Sequence, residues 1–268
     1  MSANTDSLFS LTLDLIKESL KKDHYYNSNI IEKNIFRFSY EDQKELYEWL
    51  IKHSDNGHIM KLIGNFFDAG LGYLKIDYIE ALKWYLKAAE KNNSYAMVII
   101  GGYYRKGKGI PIDYKECLNW YLKAADLGDS NAMNNIGLIY KLGIGVDIDF
   151  KTAVGWFSRA IKHGSTDAIF NLGEIYDKDG NYQEALKCFT IGYYKYDNLK
   201  KKATCKKKIE EIMKNTDILV LEDWIRLRDE NQLLKDEIEE LNTELKYRPD
   251  GEGYELAKHE FESLAKII

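Results

Sequence analysis

Residues 84–89 read Trp-Tyr-Leu-Lys-Ala-Ala, and residues 120–125 repeat the same six residues 36 positions later. A looser copy, Trp-Phe-Ser-Arg-Ala-Ile, follows after another 36 positions at residues 156–161. Trp49 stands 35 positions before the first copy. A fixed period of this length is typical of stacked-repeat proteins, in which each unit packs on its neighbours. The repeat therefore decides the fold class.

A second phrase precedes each tryptophan phrase. It reads Ala-x-x-x-Ile-Gly-x-x-Tyr-x-x-Gly-x-Gly at residues 96–109, and it recurs in register at residues 132–145. The first four of these residues share one face of a helix. A mid-helix glycine costs about 1 kcal/mol relative to alanine, so we expect a second helix to approach closely at Gly101, Gly137 and Gly173. The final glycine pair predicts a left-handed end to the first helix.

The second helix of each unit is predicted to begin at a capping residue followed by glutamate three positions on. The capping residues are Asp77, Asp113 and Asn181, and Asp149 keeps the register with Thr152 in the glutamate position. Three positions before each aromatic pair stands a small residue, which predicts a close helix contact: Ala81, Cys117, Ala153 and Ala185. The repeat tyrosines and tryptophans are predicted to be core residues, not a nucleic-acid stacking surface.

These phrases resemble Sel-1-like repeats, which are related to the tetratricopeptide repeat but have a longer loop. The last unit, from Gly173 to Phe189, lacks the Gly-x-Gly loop and resembles an ordinary tetratricopeptide repeat. The resemblance covers residues 45–196 and implies an all-α fold, a right-handed α-solenoid of helix-turn-helix repeats. The Tyr- and Asn-rich composition is also similar to that of proteins from large DNA viruses of amoebae.

The chain outside the repeats divides into four further segments. We predict a helical N-terminal segment at 1–44, a capping helix at 197–215, a coiled coil at 216–248 and a terminal amphipathic helix at 249–268. The capping helix carries lysines at 200–202 and 206–208, which predict a solvated face with Ile209 and Ile212 turned inward. Nuclear import or an acidic partner is the alternative interpretation of the lysines.

The predicted coiled coil rests on a heptad seam, in which apolar residues alternate by four and three positions. Asn231 falls at an a position, which favours a parallel homodimer. A second stripe from Tyr254 to Ile268 offers an alternative, because that helix can instead fold back on the first as a helical hairpin. The seam consists of Val220, Trp224, Leu227, Asn231, Leu234, Ile238, Leu241 and Leu245.

Composition excludes several classes of protein. A net charge of −5 argues against binding nucleic acid through phosphate neutralisation. The three cysteines match no metal or redox spacing, which favours a reducing compartment. The sequence shows no secretory signal and no stretch of transmembrane length. We therefore expect a cytoplasmic protein (in the host cytoplasm if it is viral) with no membrane partner, no nucleic-acid partner and no cofactor.

Two sequence motifs resemble a ligand-binding site, one for phosphate and one for a metal ion. Residues 102–109 nearly match a phosphate-binding loop, but Gly109 replaces the required hydroxyl and the stretch begins within a predicted helix. His53 and His58 flank a turn and could in principle hold a metal, although loop residues facing solvent are the default interpretation. No catalytic constellation or metal site is predicted, so we expect that the protein is not an enzyme.

The family resemblance implies adaptor or scaffold work in protein complexes. It also implies that the first helices line a concave face, on which asparagines grip the backbone or carboxylate of a bound peptide. Asn135 and Asn171 occupy that position, and Asn134, Tyr103 and Arg105 are predicted to share the surface. The alternative is that the asparagines bond to neighbouring repeat backbone. The predicted function is non-enzymatic binding of a protein or peptide partner; the alternative is a regulatory subunit or inhibitor of an enzyme.

Overall fold

The computed structural model describes residue 35 and residues 38–214, and the regular elements in this range are ten α-helices. In chain order they are α1 (Tyr40–Lys52), α2 (Gly57–Ala69), α3 (Tyr78–Glu90), α4 (Ser94–Lys106), α5 (Tyr114–Asp126), α6 (Ser130–Leu142), α7 (Phe150–Lys162), α8 (Thr166–Lys178), α9 (Tyr182–Lys195) and α10 (Leu199–Lys214). The all-α repeat fold predicted from the sequence is confirmed.

Each repeat unit is a pair of helices, and the predicted caps set where the second helix begins. The Oδ1 atom of Asp113 accepts from the backbone N–H of Glu116 at 3.0 Å, and Asp77, Asp149 and Asn181 do the same for α3, α7 and α9. Such caps satisfy N–H groups that have no partner inside the helix. The units are α2–α3, α4–α5, α6–α7 and α8–α9.

The mid-helix glycines mark the close approach within each pair, as predicted. A Cβ built on Gly101 would lie 2.6 Å from Cε1 of Tyr121, and one on Gly137 would lie 2.5 Å from Cε1 of Phe157. Those aromatic rings are almost fully buried. The glycine of the first helix thus makes room for the aromatic residue of the second.

The loops within the first three units follow the predicted glycine pattern. Gly107 and Gly109 have φ values of 66° and 73°, and the corresponding glycines of the neighbouring loops also adopt positive φ. The left-handed region costs other residues about 1–2 kcal/mol, so glycine is the fitting choice. The loop of the last unit is contracted to residues 179–181, which explains why the tryptophan period ends there.

The repeat tryptophans are less buried than the sequence predicted. Trp84, Trp120 and Trp156 are half-buried rather than core residues, and a cation lies over each ring. The nitrogens of Lys87 and Lys123 are both 4.0 Å from the ring centroid. The fully buried aromatic residue is the next one along, because it faces the first helix: Tyr85, Tyr121 and Phe157.

Contacts divide the chain into two compact units, Met1–Ala168 and Ile169–Ile268. In the first unit, a core around Leu46, Leu50, Leu62 and Phe66 joins α1 to α2, and Trp84 packs against it. Helix α1 begins at Tyr40, capped by Ser39, and it spans the predicted boundary between residues 44 and 45.

In the second unit, α10 packs on α9. Ile209 and Ile212 are buried beside Phe189, as the sequence predicted for this helix. The lysines of α10 face outward, and two of them pair along the helix with Glu210 and Glu211. Lys208 reaches Asp177 of α8 at 3.2 Å.

The predicted coiled coil at 216–248 and the terminal helix at 249–268 lie outside the described residues, as does nearly all of the N-terminal segment. Among the described helices, none is both long and apolar enough to cross a membrane.

Candidate functional site

The first helices of two units carry a half-exposed stripe. On α4 it includes Val98, Ile99 and Gly102, and on α6 the matching positions are Asn134, Asn135 and Leu138. Spacings of three and four residues place each set on one side of its helix. We call these six residues the first-helix face. The surface is mixed, with apolar side chains on α4 and amides on α6.

The same positions of α2 are closed. Lys61 is 1% exposed and Leu62 is fully buried, and the Lys61 ammonium lies 5.3 Å from the ring centroid of Tyr95. The open stripe therefore begins at α4.

Polar contacts hold consecutive first helices side by side at their N-termini. The Ser94 hydroxyl donates to Oδ2 of Asp129 at 3.0 Å, which joins α4 to the cap of α6. One unit earlier, the Asn93 amide lies 3.2 Å from Nδ1 of His58. Asn93 and Asp129 are also the caps of their own helices and are buried. These contacts fix the spacing of the first-helix face.

Sequence reasoning missed these caps, although a signal was present. A capping residue stands three positions before a buried alanine at the start of α4, α6 and α8, in Asn93-x-x-Ala96, Asp129-x-x-Ala132 and Ser165-x-x-Ala168. The second helices, apart from α7, carry a glutamate three positions after the cap, and the first helices have none there.

Tyr103 is placed differently from its prediction. Its side chain is 3% exposed, packs edge-on against Tyr78 and Tyr85, and donates its phenolic hydrogen to Oδ1 of Asp68. Burial and this hydrogen bond raise the pKa of Tyr103 well above its usual range. Tyr103 is therefore a core contact between α2 and α4 and not part of an open surface.

Lys108 lies in the glycine-rich stretch that resembles a phosphate-binding loop, and its contacts are within the repeats. Its ammonium lies 2.6 Å from Oδ1 of Asp68 and 4.4 Å from the ring centroid of Tyr78. The stretch itself starts inside α4, which ends at Lys106. Lys108 is thus held by a carboxylate and an aromatic ring within the repeat.

Arg105 is half-buried near the C-terminal end of α4. Its Nε is buried and has no hydrogen-bond acceptor among the described residues. Burial raises the pKa of Cys117 to about 11 and that of Tyr121 to about 12. The charge of Arg105 acts in the opposite direction and lowers both pKa values. A carboxylate is the group that pairs best with a guanidinium.

The three predicted asparagines are all half-buried. Asn134 and Asn135 lie together on α6, and Asn134 has interactions within the chain. Asn171 lies on α8 in the second compact unit and also has interactions of its own. The structure thus brings Asn134 and Asn135 together on one helix within Met1–Ala168.

The two histidines at the predicted turn have roles within the fold. Nδ1 of His53 lies 2.8 Å from the carbonyl oxygen of Trp49, and the ring stacks on that tryptophan. His58 lines a cleft of about 400 Å³ formed by residues 55–58 and 91–95. Among the described residues, no group of three His, Cys, Asp or Glu side chains is arranged to hold a metal ion.

Comparison with known proteins finds repeat proteins of this shape. The crystal structure of a Sel1 repeat protein from Oxalobacter formigenes is 25% identical, with a TM-score of 0.57, covering 78% of this chain and 89% of that one. The protective antigen c5321 of uropathogenic Escherichia coli, which displays an SLR fold, is 20% identical with a TM-score of 0.51. The match covers 78% of this chain and half of c5321. No curated protein sequence matches the chain.

The Sel1 repeat profile matches four consecutive segments, 60–93, 94–129, 130–165 and 166–195. The last segment includes the contracted loop, so the profile accepts the unit that resembles an ordinary tetratricopeptide repeat. Each segment corresponds to one helix pair, from α2–α3 to α8–α9, and the first segment begins within α2. Because these matches span just over half of its residues, the chain belongs to the Sel1 repeat family.

Proposed function

We propose that this chain is a non-enzymatic adaptor or scaffold that binds a peptide or protein segment on the first-helix face. Sel1 repeat proteins generally mediate protein–protein interactions, which supports this class of function. The observation that carries the proposal is the half-exposed stripe of α4 and α6, with Arg105 close to its end.

The chemistry of the face indicates the kind of segment that it binds. Asn135 offers both a donor and an acceptor, which suits the backbone of an extended peptide. Val98 and Ile99 supply apolar contact on the neighbouring helix. The Arg105 guanidinium supplies a cation for a carboxylate. We therefore propose a peptide with an apolar residue beside an acidic residue or a free C-terminus.

Selection from a displayed peptide library on the immobilised full chain tests this proposal. Selected peptides should carry the apolar–acidic pattern, and Asn135→Ala should weaken their binding about tenfold, the effect of one lost hydrogen bond. Asn119→Ala is the matched control, since Asn119 is exposed on α5, a second helix. Equal binding by the two variants, or no selected peptide at all, would overturn the proposal.

We further propose that residues 216–248 pair two copies as a parallel coiled coil. The support is the heptad sequence with Asn231 at an a position. Asn231→Leu should raise the stability of the paired state or change its oligomeric state, because a buried asparagine selects the dimer at some energetic cost. Unchanged stability and unchanged mass would contradict the pairing. The cytoplasmic location stays a prediction.

A further inference from the structure

Three isoleucines occupy equivalent positions in consecutive loops and are more exposed than apolar side chains usually are. Ile76, Ile112 and Ile148 are 57%, 55% and 59% exposed, and each stands 36 residues from the next. Each directly precedes the aspartate that caps a second helix. We call these three side chains the isoleucine ridge.

The loops that carry the ridge lie side by side. A Cβ built on Gly109 would lie 2.8 Å from Cβ of Tyr78, so the loop of the second unit rests on the start of the second helix before it. Gly145 lies against Tyr114 in the same way. The three isoleucines therefore form a row on neighbouring loops within Met1–Ala168. Tyr114 and Phe150, also exposed, extend its apolar surface.

Contacts within its own loop and helix cover only part of each isoleucine side chain. An apolar residue before a cap often packs against the fourth residue of the helix, and here that position holds Ala81, Cys117 or Ala153, all buried. Cγ1 of Ile112 also lies close to Gly107. These contacts cover less than half of the side chain. The remainder forms an exposed apolar row, which in soluble proteins commonly marks an interaction surface.

The charges beside the ridge indicate the partner. The residues just before the three isoleucines are Lys75, Pro111 and Asp147, all exposed. Neither charged residue has an ion-pair partner within residues 38–214. At the position before the isoleucine, the row is therefore positive at one end, uncharged at the centre and negative at the other end. When two such rows meet antiparallel, Lys75 of each copy faces Asp147 of the other and Pro111 faces itself.

The capping aspartates do not oppose this arrangement. The carboxylates of Asp77, Asp113 and Asp149 remain charged, but each accepts a hydrogen bond at the N-terminus of its own helix, whose partial positive charge offsets part of the negative charge. A surface that is complementary to itself under a two-fold rotation is the requirement for a symmetric dimer. The positive end, neutral centre and negative end of the row meet that requirement.

We propose that the isoleucine ridge is a self-association surface, on which a second copy of this chain packs antiparallel with Ile112 at the two-fold axis. Ile76 of one copy then contacts Ile148 of the other. A contact of three loops is small, so we expect a weak interface on its own. The proposal does not depend on the coiled coil, because the ridge residues lie elsewhere in the chain.

Cysteine cross-linking of the full chain tests the proposal. Ile112→Cys should form a disulfide-linked dimer under mild oxidation, because the two copies of residue 112 meet on the axis. Ile76→Cys alone should not, whereas an equal mixture of Ile76→Cys and Ile148→Cys should give the mixed dimer. The wild-type chain is the background control, since its three cysteines are buried.

Charge reversal supplies the second measurement. Lys75→Glu in the Ile112→Cys chain should lower the cross-linking yield at least severalfold, and adding Asp147→Lys should restore it. Asp126→Lys, on an exposed position of α5 away from the ridge, should leave the yield unchanged. The proposal is overturned if Ile112→Cys does not cross-link across a concentration series, which would leave the ridge to a different protein. It is equally overturned if Ile76→Cys links to itself as readily as Ile112→Cys.

Discussion

At the scale of single residues, the fold depends on one glycine in each first helix. Gly101 faces Tyr121 so closely that an added methyl group would lie 2.6 Å from the ring and 3.2 Å from the carbonyl oxygen of Cys117. Neither has room to move, since Tyr121 is 1% exposed and the carbonyl belongs to a helix backbone. Gly101 lowers the stability of its own helix, but only glycine leaves room for Tyr121 of the second helix.

We predict that Gly101→Ala lowers the free energy of unfolding by about 1–3 kcal/mol. The gain in helix propensity, about 1 kcal/mol, is outweighed by overpacking against Tyr121. Gly102→Ala is the matched control: only the Tyr121 hydroxyl lies near, at 3.9 Å, so the variant should be neutral or more stable by up to about 1 kcal/mol. Urea unfolding measures both variants. Equal stability of the two would show that the close approach is not a constraint.

The buried thiols should make the stability of the fold depend on pH. Burial raises the pKa of Cys117 to about 11 and that of Cys188 to about 12. The folded chain thus holds these protons more tightly than the unfolded chain, whose thiols titrate near pH 8.5. Their contribution to stability is complete below about pH 8.5 and is lost as the pH rises towards about 11 for Cys117 and about 12 for Cys188.

Urea unfolding at stepped pH values should therefore show stability falling above about pH 8.5, with up to about 1.4 kcal/mol per pH unit from each thiol. Cys117→Ala should make the fall shallower, although the buried tyrosines will keep it from disappearing. An unchanged slope in that variant would mean that Cys117 titrates equally in the folded and unfolded states.

At the scale of the helices, capping decides where each element begins. We predict that Asp113→Ala lowers the free energy of unfolding by about 1 kcal/mol, because the N–H of Glu116 loses its acceptor. Asp126→Ala is the control: Asp126 is the last residue of the same helix, where a negative charge is unfavourable, so its removal should be neutral or slightly stabilising. Thermal unfolding of the two variants should separate them by several degrees. Equal losses would point to net charge rather than capping.

The helices also show what a sequence can and cannot reveal. The helix pairs, their caps at Asp77 and Asp113, and the glycine approach were all predictable, because each depends on spacing along the chain. The burial of Tyr103 was not, because its partner Asp68 belongs to the preceding unit. The half-burial of Trp84 was missed for a related reason: a helical stripe shows which residues share a face, but not how far the next unit covers it.

The candidate site also has features that sequence spacing predicts and features that depend on contacts between helices. Asn134 and Asn135 could be placed on a first helix from the repeat register alone. The exposure of the α4 and α6 stripe could not, since Lys61 and Leu62 at equivalent positions of α2 are buried. The buried Nε of Arg105 depends on contacts between helices, which no periodicity encodes. The isoleucine ridge was visible as a repeat in the sequence, but only the structure shows that its side chains are exposed.

At the scale of the whole molecule, the two proposed self-contacts are compatible in symmetry. A parallel coiled coil has a two-fold axis, and an antiparallel ridge pair has one too, so a single shared axis would place both contacts in one dimer. The coiled coil would then raise the effective concentration of the ridges, which strengthens a small apolar contact. Two first-helix faces in one dimer would also bind a bivalent partner more tightly than a single face does.

The mass of the full chain tests this arrangement. Light scattering at micromolar concentration should give twice the monomer mass of 31.2 kDa. Leu234→Asp, which places a charge on the heptad seam, should reduce the mass to that of the monomer, because the ridge contact alone is too small to hold the copies together. Ile112→Asp should leave the mass at twice the monomer value, since the seam is intact. A monomeric wild-type chain would rule out coiled-coil pairing, and a Leu234→Asp chain that stays dimeric would show that the main contact lies outside the seam.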